Sequence, residues 1–179
     1  MNIFRLDESY SKSAIYHCDK HVVKMIVEQT QLLHTALRVH GFQADWLYKP
    51  FNPKHPSCRW TSENQSNFNW VAHHGMCLCI EYASRYKKHH KCFDLLQKAW
   101  KQSSILPNGK ETPQLLAMPD QFRTNDVVHS YRLYYAAAKY RFATWKSLIG
   151  EPPWWKEYRD FVVKNNLEIN NDKNDGVKK

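Results

Sequence analysis

Six polar side chains recur every three or four residues along the stretch from 16 to 37. They are His17, His21, Lys24, Glu28, Gln31 and Thr35. At about 100° per residue they fall within an arc of roughly 80°, and the rest of the circumference carries many apolar residues, among them Val22, Ile26 and Leu33. One interpretation is the solvated face of an amphipathic helix. The other is the floor of an active site, where Glu28 supplies a carboxylate and Lys24, His17 and His21 bind phosphate or assist proton transfer.

Helical patterns fill most of the chain, and strand patterns are nearly absent. The opening helix is predicted to run from about Tyr16 to His40 and to end at Gly41. Further helices are predicted over 58–92, 93–102 and 125–149, with a last short one beginning at 154. The sequence therefore predicts an all-α fold of about five helices with long loops. A single domain is expected over 1–164, followed by a polar, disordered tail over 165–179.

The chain carries a formal net charge of +9, which favours an anionic partner such as nucleic acid. Five cysteines, an odd number without a CxxC pair, favour a reducing, cytoplasmic setting. No apolar run approaches the ~18 residues that a membrane span needs. A phosphate-binding glycine loop and a GxSxG elbow are also missing, which argues against nucleotide-triphosphate chemistry and serine hydrolase chemistry.

The segment RYKKHHK at 85–91 is strongly basic. Cations stabilise the C-terminal end of a helix, and that alone explains such a cluster. The alternative is that Lys87, Lys88 and Lys91 contact the phosphates of a nucleic acid. The two interpretations stay open at this point.

Ten histidines raise the question of a metal. Clusters occur at His17 and His21, over 73–79 and over 89–92, but none has a zinc spacing with four ligands. We therefore expect no metal and no cofactor.

Several motifs, taken in order, resemble one family. KMIVEQTQLL at 24–33 is followed by HPSCRW at 55–60 and LCIEYASR at 78–85. MPDQFR at 118–123 and EPPWWKEY at 151–158 complete the series. In order and spacing they resemble the bacterial and phage proteins related to pyrimidine-dimer DNA glycosylase of the endonuclease V type, over about 150 residues.

The resemblance implies a compact all-α protein that cleaves the N-glycosidic bond of a damaged pyrimidine in double-stranded DNA. It also implies that Glu28 is the essential helical glutamate. In the prototype the α-amine of an N-terminal threonine forms a Schiff base with the sugar, whereas this sequence begins Met1-Asn2. An AP-lyase step is therefore an open question here, and Lys24 is an alternative amine.

Such a reaction requires the target nucleotide to leave the base stack. Trp46, Phe51 and Trp60 are candidates for the aromatic wedge or sandwich that helps to extrude it. The residues expected to contact substrate or DNA also include Asn2, Gln31, His55, Arg59, Lys87, Lys88 and Lys91. The base is expected to be a damaged pyrimidine or an enzymatically modified one, such as a hydroxymethylcytosine derivative of phage DNA. The first substrate implies DNA repair, and the second implies defence against phage.

The functional expectation is therefore a monomeric, cytoplasmic DNA glycosylase that acts without a cofactor. Two alternatives fit the charge and the aromatic content. One is a nucleic-acid-binding module without enzymatic activity. The other is a transferase that modifies nucleic-acid bases.

Overall fold

The computed structural model describes residues 1–169, and within them it contains seven α-helices and no β-strand. The helices are α1 (Tyr10–Ile15), α2 (Asp19–Val39), α3 (Pro56–Glu63), α4 (Gln65–Tyr86), α5 (Cys92–Trp100), α6 (Val127–Lys139) and α7 (Trp155–Lys164). Two short 3₁₀ turns cover Ser103–Ile105 and Asp120–Phe122. The predicted all-α class is confirmed, but about five helices was too few.

The number was too low for two reasons: α1 was not predicted, and the helix predicted over 58–92 is divided between α3 and α4. The predicted opening helix begins at Asp19 rather than at about Tyr16, because Cys18 is extended and its N–H donates to the Tyr135 hydroxyl at 3.0 Å. The next helical stretch breaks at Asn64, whose extended backbone ends α3 and whose side chain caps α4 by accepting the Asn67 N–H at 3.0 Å. In both places a specific polar contact replaces continued helix.

The sixth helix ends at Lys139 rather than near 149, which corrects the prediction. The segment 140–154 instead folds over the first turn of α2. Asp19 holds it there, because the Asp19 carboxylate accepts the Lys146 N–H at 2.9 Å and the Thr144 hydroxyl at 3.0 Å. The Asp19 N–H donates to the Thr144 carbonyl at 2.8 Å. These bonds compensate for the helical hydrogen bonds that the segment does not make.

The LCIEYASR motif provides a second brace at the break between α1 and α2. Arg85 has a fully buried side chain that donates to the carbonyls of Ile15 and His17 and to the Asp19 carboxylate, each at 2.9 Å. Glu81, one turn earlier on α4, accepts from the Arg85 Nε at 2.7 Å. A buried guanidinium needs such partners, so this motif has a clear structural function.

Helix α2 lies at the centre of the fold and packs against α3, α4 and α5. Its buried side chains include Ile26, Leu33 and Leu37. The apolar segment 1–6 crosses the core, with Ile3 and Leu6 fully buried. Gln114 fixes it from the other side by donating to the Ile3 carbonyl at 2.8 Å. This path brings the start of the chain to the middle of α2.

The packed part of the chain continues past the predicted domain end at 164. Leu167 and Ile169 pack against the core, and the Ile169 N–H donates to the Ala137 carbonyl at 3.0 Å. Of the predicted tail, residues 170–179 lie outside the described residues. None of the helices within 1–169 has the length and apolar character needed to cross a membrane.

Candidate active site

A cavity of about 290 Å³ opens beside the middle of α2. Its walls come from the first residues of the chain, α2, the 117–119 segment and the end of α6. The lining residues are Met1, Asn2, Phe4, His21, Lys24, Met25, Glu28, Ala117, Pro119, Tyr134 and Lys139. The structure thus gathers Asn2, His21, Lys24 and Glu28 from the predicted site.

Glu28 is the only carboxylate among the described residues that line the cavity. Its Oε2 accepts a hydrogen bond of 2.9 Å from the main-chain N–H of Asn2. Its Oε1 lies 3.8 Å from Nζ of Lys24, one turn earlier on α2. The Glu28 side chain is only 15 % exposed, whereas that of Lys24 is 52 % exposed. The carboxylate is therefore held in the wall while the ammonium group reaches the solvent.

Asn2 is itself fixed by three hydrogen bonds of its side chain. Its Oδ1 accepts the Tyr131 hydroxyl at 2.9 Å and the Ile3 N–H at 2.8 Å. Its Nδ2 donates to the Ala117 carbonyl at 2.8 Å. Because these bonds fix the Asn2 backbone, the N–H that meets Glu28 is preorganised. Asn2 was predicted to contact substrate, and its side chain here acts as a clamp.

Lys139 is a cavity residue that the sequence did not reveal. It ends α6, is 6 % exposed, and its Nζ lies 5.8 Å from the Phe4 ring centroid and 5.9 Å from that of Tyr134. In the sequence Lys139 follows a run of tyrosines and alanines, a pattern that indicates a helix surface packed in the core. The structure instead supplies the cavity with a second lysine, on the α6 side.

The two histidines of the predicted stripe differ in position. His21 lines the cavity with its ring 5.0 Å from that of Phe4, and burial lowers its pKa well below the usual value. His17 lies in the break before α2, fully buried, with Nδ1 2.7 Å from the Ser13 carbonyl. Burial lowers its pKa to about 4. His17 does not line the cavity, and both rings are neutral at pH 7.

Gln31 and His55 do not line the cavity. Gln31 is one turn beyond Glu28 on α2, and its Nε2 donates to the Lys49 carbonyl at 3.3 Å. His55 caps α3 by accepting the Ser57 N–H at 3.2 Å. Burial and, to a smaller extent, the positive charge of the amino terminus lower the pKa of His55. This imidazole therefore lies within electrostatic reach of the first residue.

The two tryptophans named as wedge candidates are held by the fold. Trp60 is fully buried, and its Nε1 donates to the Thr112 carbonyl at 2.9 Å. Trp46 is half-buried, with its ring 5.2 Å from that of His34 in an edge-on contact. Neither lines the cavity, and Trp60 has no surface with which to meet a base. Arg59, next to Trp60, is exposed on α3.

The basic segment 87–91 does not line the cavity. Lys87, Lys88 and Lys91 are exposed, and Lys87 ends α4 in the left-handed conformation with φ of 55°. Lys91 helps to line a groove of about 390 Å³ that includes Val27, Tyr48 and Tyr82. Val27 precedes Glu28 on α2, and adjacent helix positions point about 100° apart, so the groove and the cavity lie beside neighbouring faces of the helix.

Among residues 1–169 no group of three or more His, Cys, Asp or Glu side chains is arranged to hold a metal ion. The chemistry available at the cavity is therefore that of a fixed carboxylate, two ammonium groups, a neutral imidazole and aromatic walls. This combination can stabilise a developing positive charge, activate a water molecule and bind an anionic group beside it.

Comparisons of the chain with protein families, with curated proteins and with solved structures found no significant match. Function must therefore be inferred from the chemistry of this cavity and of the surface around it.

Proposed function

We propose that this protein is a DNA glycosylase that hydrolyses the N-glycosidic bond of a damaged or enzymatically modified pyrimidine. The observation that carries the proposal is the Glu28 carboxylate, held by the Asn2 N–H in the wall of a cavity with basic side chains. The motif resemblance singles out the same glutamate.

The proposed reaction begins as the bond between the sugar C1′ and the base nitrogen breaks. The base leaves with the electron pair and takes a proton from solvent water, while positive charge develops on the sugar. The Glu28 carboxylate stabilises this charge and then accepts a proton from the water molecule that adds to C1′. An abasic site and a free base are the products. The clamp on Asn2 keeps the carboxylate in place throughout.

The size of the cavity supports a single extruded nucleotide as the ligand. At about 290 Å³ it lies near the lower end of small-molecule pockets, roughly 300 Å³. Phe4 and Tyr134 provide aromatic surface for a base. A cavity of this kind is as compatible with a hydroxymethylcytosine derivative of phage DNA as with a damaged pyrimidine. The proposed role is therefore either DNA repair or defence against phage.

Exposed lysines support double-stranded DNA as the partner. Lys24 lies at the cavity, and Lys91 lines a groove beside a neighbouring face of α2, with Lys87 and Lys88 in the same exposed segment. Contacts from such side chains to phosphates bind DNA without regard to sequence and weaken with salt. We further propose that the protein acts as a monomer in the cytoplasm, and its five free thiols fit a reducing compartment.

The main alternative is a nucleic-acid-binding module without enzymatic activity. The exposed lysines of the 87–91 segment favour it, because they require no cavity. The partly buried Glu28 favours the enzyme, since a carboxylate facing bound DNA would oppose binding unless it served the reaction. A base-modifying transferase is the second alternative, and it would release no base.

One experiment separates these functions. The protein is incubated with unmodified DNA, with ultraviolet-irradiated DNA and with phage DNA that contains hydroxymethylcytosine or its glucosylated form. Released bases are then identified by mass spectrometry. A glycosylase releases a base from one modified substrate. Binding to DNA without release from any of them supports the binding module, and a mass change in the intact DNA supports the transferase.

A further inference from the structure

The turn Ser147–Gly150 displays two branched aliphatic side chains at its tip. Leu148 is 96 % exposed and Ile149 is 54 % exposed. The Gly150 N–H donates to the Ser147 carbonyl at 3.0 Å, and Gly150 adopts a φ of +67° that favours glycine. The tip therefore has a defined shape, and its apolar surface is turned outward.

The residues before this turn are anchored to the protein body. Lys146 and Thr144 are hydrogen-bonded to the Asp19 carboxylate, and the Trp145 Nε1 donates to the Tyr16 carbonyl at 3.0 Å. The Trp145 ring also packs 4.8 Å from that of Trp155. Because these contacts fix the residues before the turn, its exposed apolar side chains are suited to insert into a ligand without the turn moving away.

The same segment links the turn to the candidate active site. It starts from Lys139 in the cavity wall and passes Phe142, whose ring lies 5.6 Å from that of His21. It then reaches Asp19 at the start of α2. Glu28 lies about 14 Å farther along α2 than Asp19, at roughly 1.5 Å per residue. One helix, α2, therefore carries both the anchor of the turn and the candidate catalytic carboxylate.

Lysine residues occur in the segment that leads to the turn and in the first turns of α2 against which that segment folds. Lys146 lies two residues before Leu148, and Lys20 lies over the Phe142 ring at 4.9 Å. Lys24 follows one turn later on α2. Glu151 directly follows the turn in the chain, before α7 begins. An apolar tip beside several ammonium groups matches a base stack flanked by phosphates.

We propose that Leu148, with Ile149 beside it, is the wedge that enters the duplex and fills the space left by the extruded nucleotide. This inference rests on the proposed function, and it assigns the wedge to an aliphatic turn rather than to Trp46 or Trp60. Aliphatic side chains unstack a base step in other DNA-bending proteins in the same way.

The test uses a duplex with a tetrahydrofuran abasic analogue and 2-aminopurine at the neighbouring position, so it does not depend on the base that is excised. Insertion of the wedge unstacks 2-aminopurine and raises its fluorescence. We expect a rise of several fold with the unaltered protein and little or none with Leu148→Ala, while the Kd changes by less than about threefold. Leu148→Met should restore the signal.

Val39→Ala is the matched control, because Val39 is 52 % exposed at the opposite end of α2. It should behave like the unaltered protein. Equal fluorescence with Leu148→Ala and the unaltered protein would overturn the wedge. So would a protein that self-associates through this turn, seen as a dimer by sedimentation that Leu148→Ala abolishes. Base release from modified DNA is measured separately, so failure of the glycosylase activity is distinguishable from failure of the wedge.

Discussion

The main-chain N–H of Asn2 lies 2.9 Å from Oε2 of Glu28, although 26 residues separate the two in the chain. The contact joins the apolar segment 1–6 to the middle of α2 at the edge of a cavity. It holds the carboxylate with a backbone donor that every substitution of Asn2 except proline retains. The rest of the proposed site is arranged around this pair.

The clamp on Asn2 predicts a positioning effect. Asn2→Ala keeps the N–H to Glu28 but removes the bonds to Tyr131 and Ala117. We expect kcat for base release to fall about tenfold with a smaller change in KM, because the carboxylate is less well oriented. The free energy of unfolding should fall by about 1–3 kcal/mol, since the Tyr131 hydroxyl loses a buried partner.

Tyr131→Phe is the matched control for this prediction, because it removes only the hydroxyl that donates to Asn2. It should lower kcat less than Asn2→Ala does. Steady-state kinetics gives kcat for both variants, and urea unfolding gives their free energies of unfolding. If Asn2→Ala loses stability while kcat stays the same, the clamp has no part in catalysis.

Lys139 is predicted to bind a phosphate next to the extruded nucleotide. Lys139→Met keeps the length of the side chain and removes the charge. KM should rise severalfold, and the slope of log Kd against log salt should decrease by about one ionic contact. Lys164→Met, an exposed lysine at the end of α7, should leave both quantities unchanged. An unaltered salt slope for Lys139→Met would show that this ammonium does not contact DNA.

The buried histidines predict loss of stability in mild acid. Burial lowers the pKa of His17 to about 4 and that of His74 well below its usual value, and their rings lie 5.2 Å apart. In the unfolded chain both titrate near 6.5. Between about 6.5 and 4 the unfolded state binds more protons, so the free energy of unfolding decreases as the pH falls through this range.

Each such histidine contributes up to about 1.4 kcal/mol per pH unit. Urea unfolding at pH 7.5, 6.0 and 5.0 measures the slope. Replacing His74 by phenylalanine should make the slope shallower, because one buried imidazole no longer titrates on unfolding. Stability that stays constant from pH 7.5 to 5.0 would contradict the neutral burial of these rings.

The sequence indicated some parts of the site better than others. Helical periodicity placed Lys24 and Glu28 on one face of α2, since both lie within an unbroken helix. It misplaced His17, because the break before α2 depends on contacts from Tyr135 and Arg85 that are distant in the chain. Lys139 was not predicted as a site residue, because it follows apolar residues and the helix that it ends was predicted to continue to 149.

The turn that carries Leu148 was predicted as the end of a helix. Its conformation depends on Asp19, which accepts the Lys146 N–H although 127 residues separate the two in the chain. No local sequence pattern indicates that contact. Trp60 illustrates the opposite problem, because its residue type suggests a ligand platform while its full burial shows a core residue. Long-range polar contacts of this kind are not visible in local patterns.

The most direct test of the central claim is base release by Glu28→Gln. Glutamine preserves the size of the side chain and an oxygen that can accept the Asn2 N–H, so the fold and DNA binding should be retained. We expect the rate of base release from the modified DNA that serves as substrate to fall at least about 100-fold, because the negative charge opposite the sugar is lost. Release at the unaltered rate would contradict the assignment of Glu28 as the catalytic carboxylate.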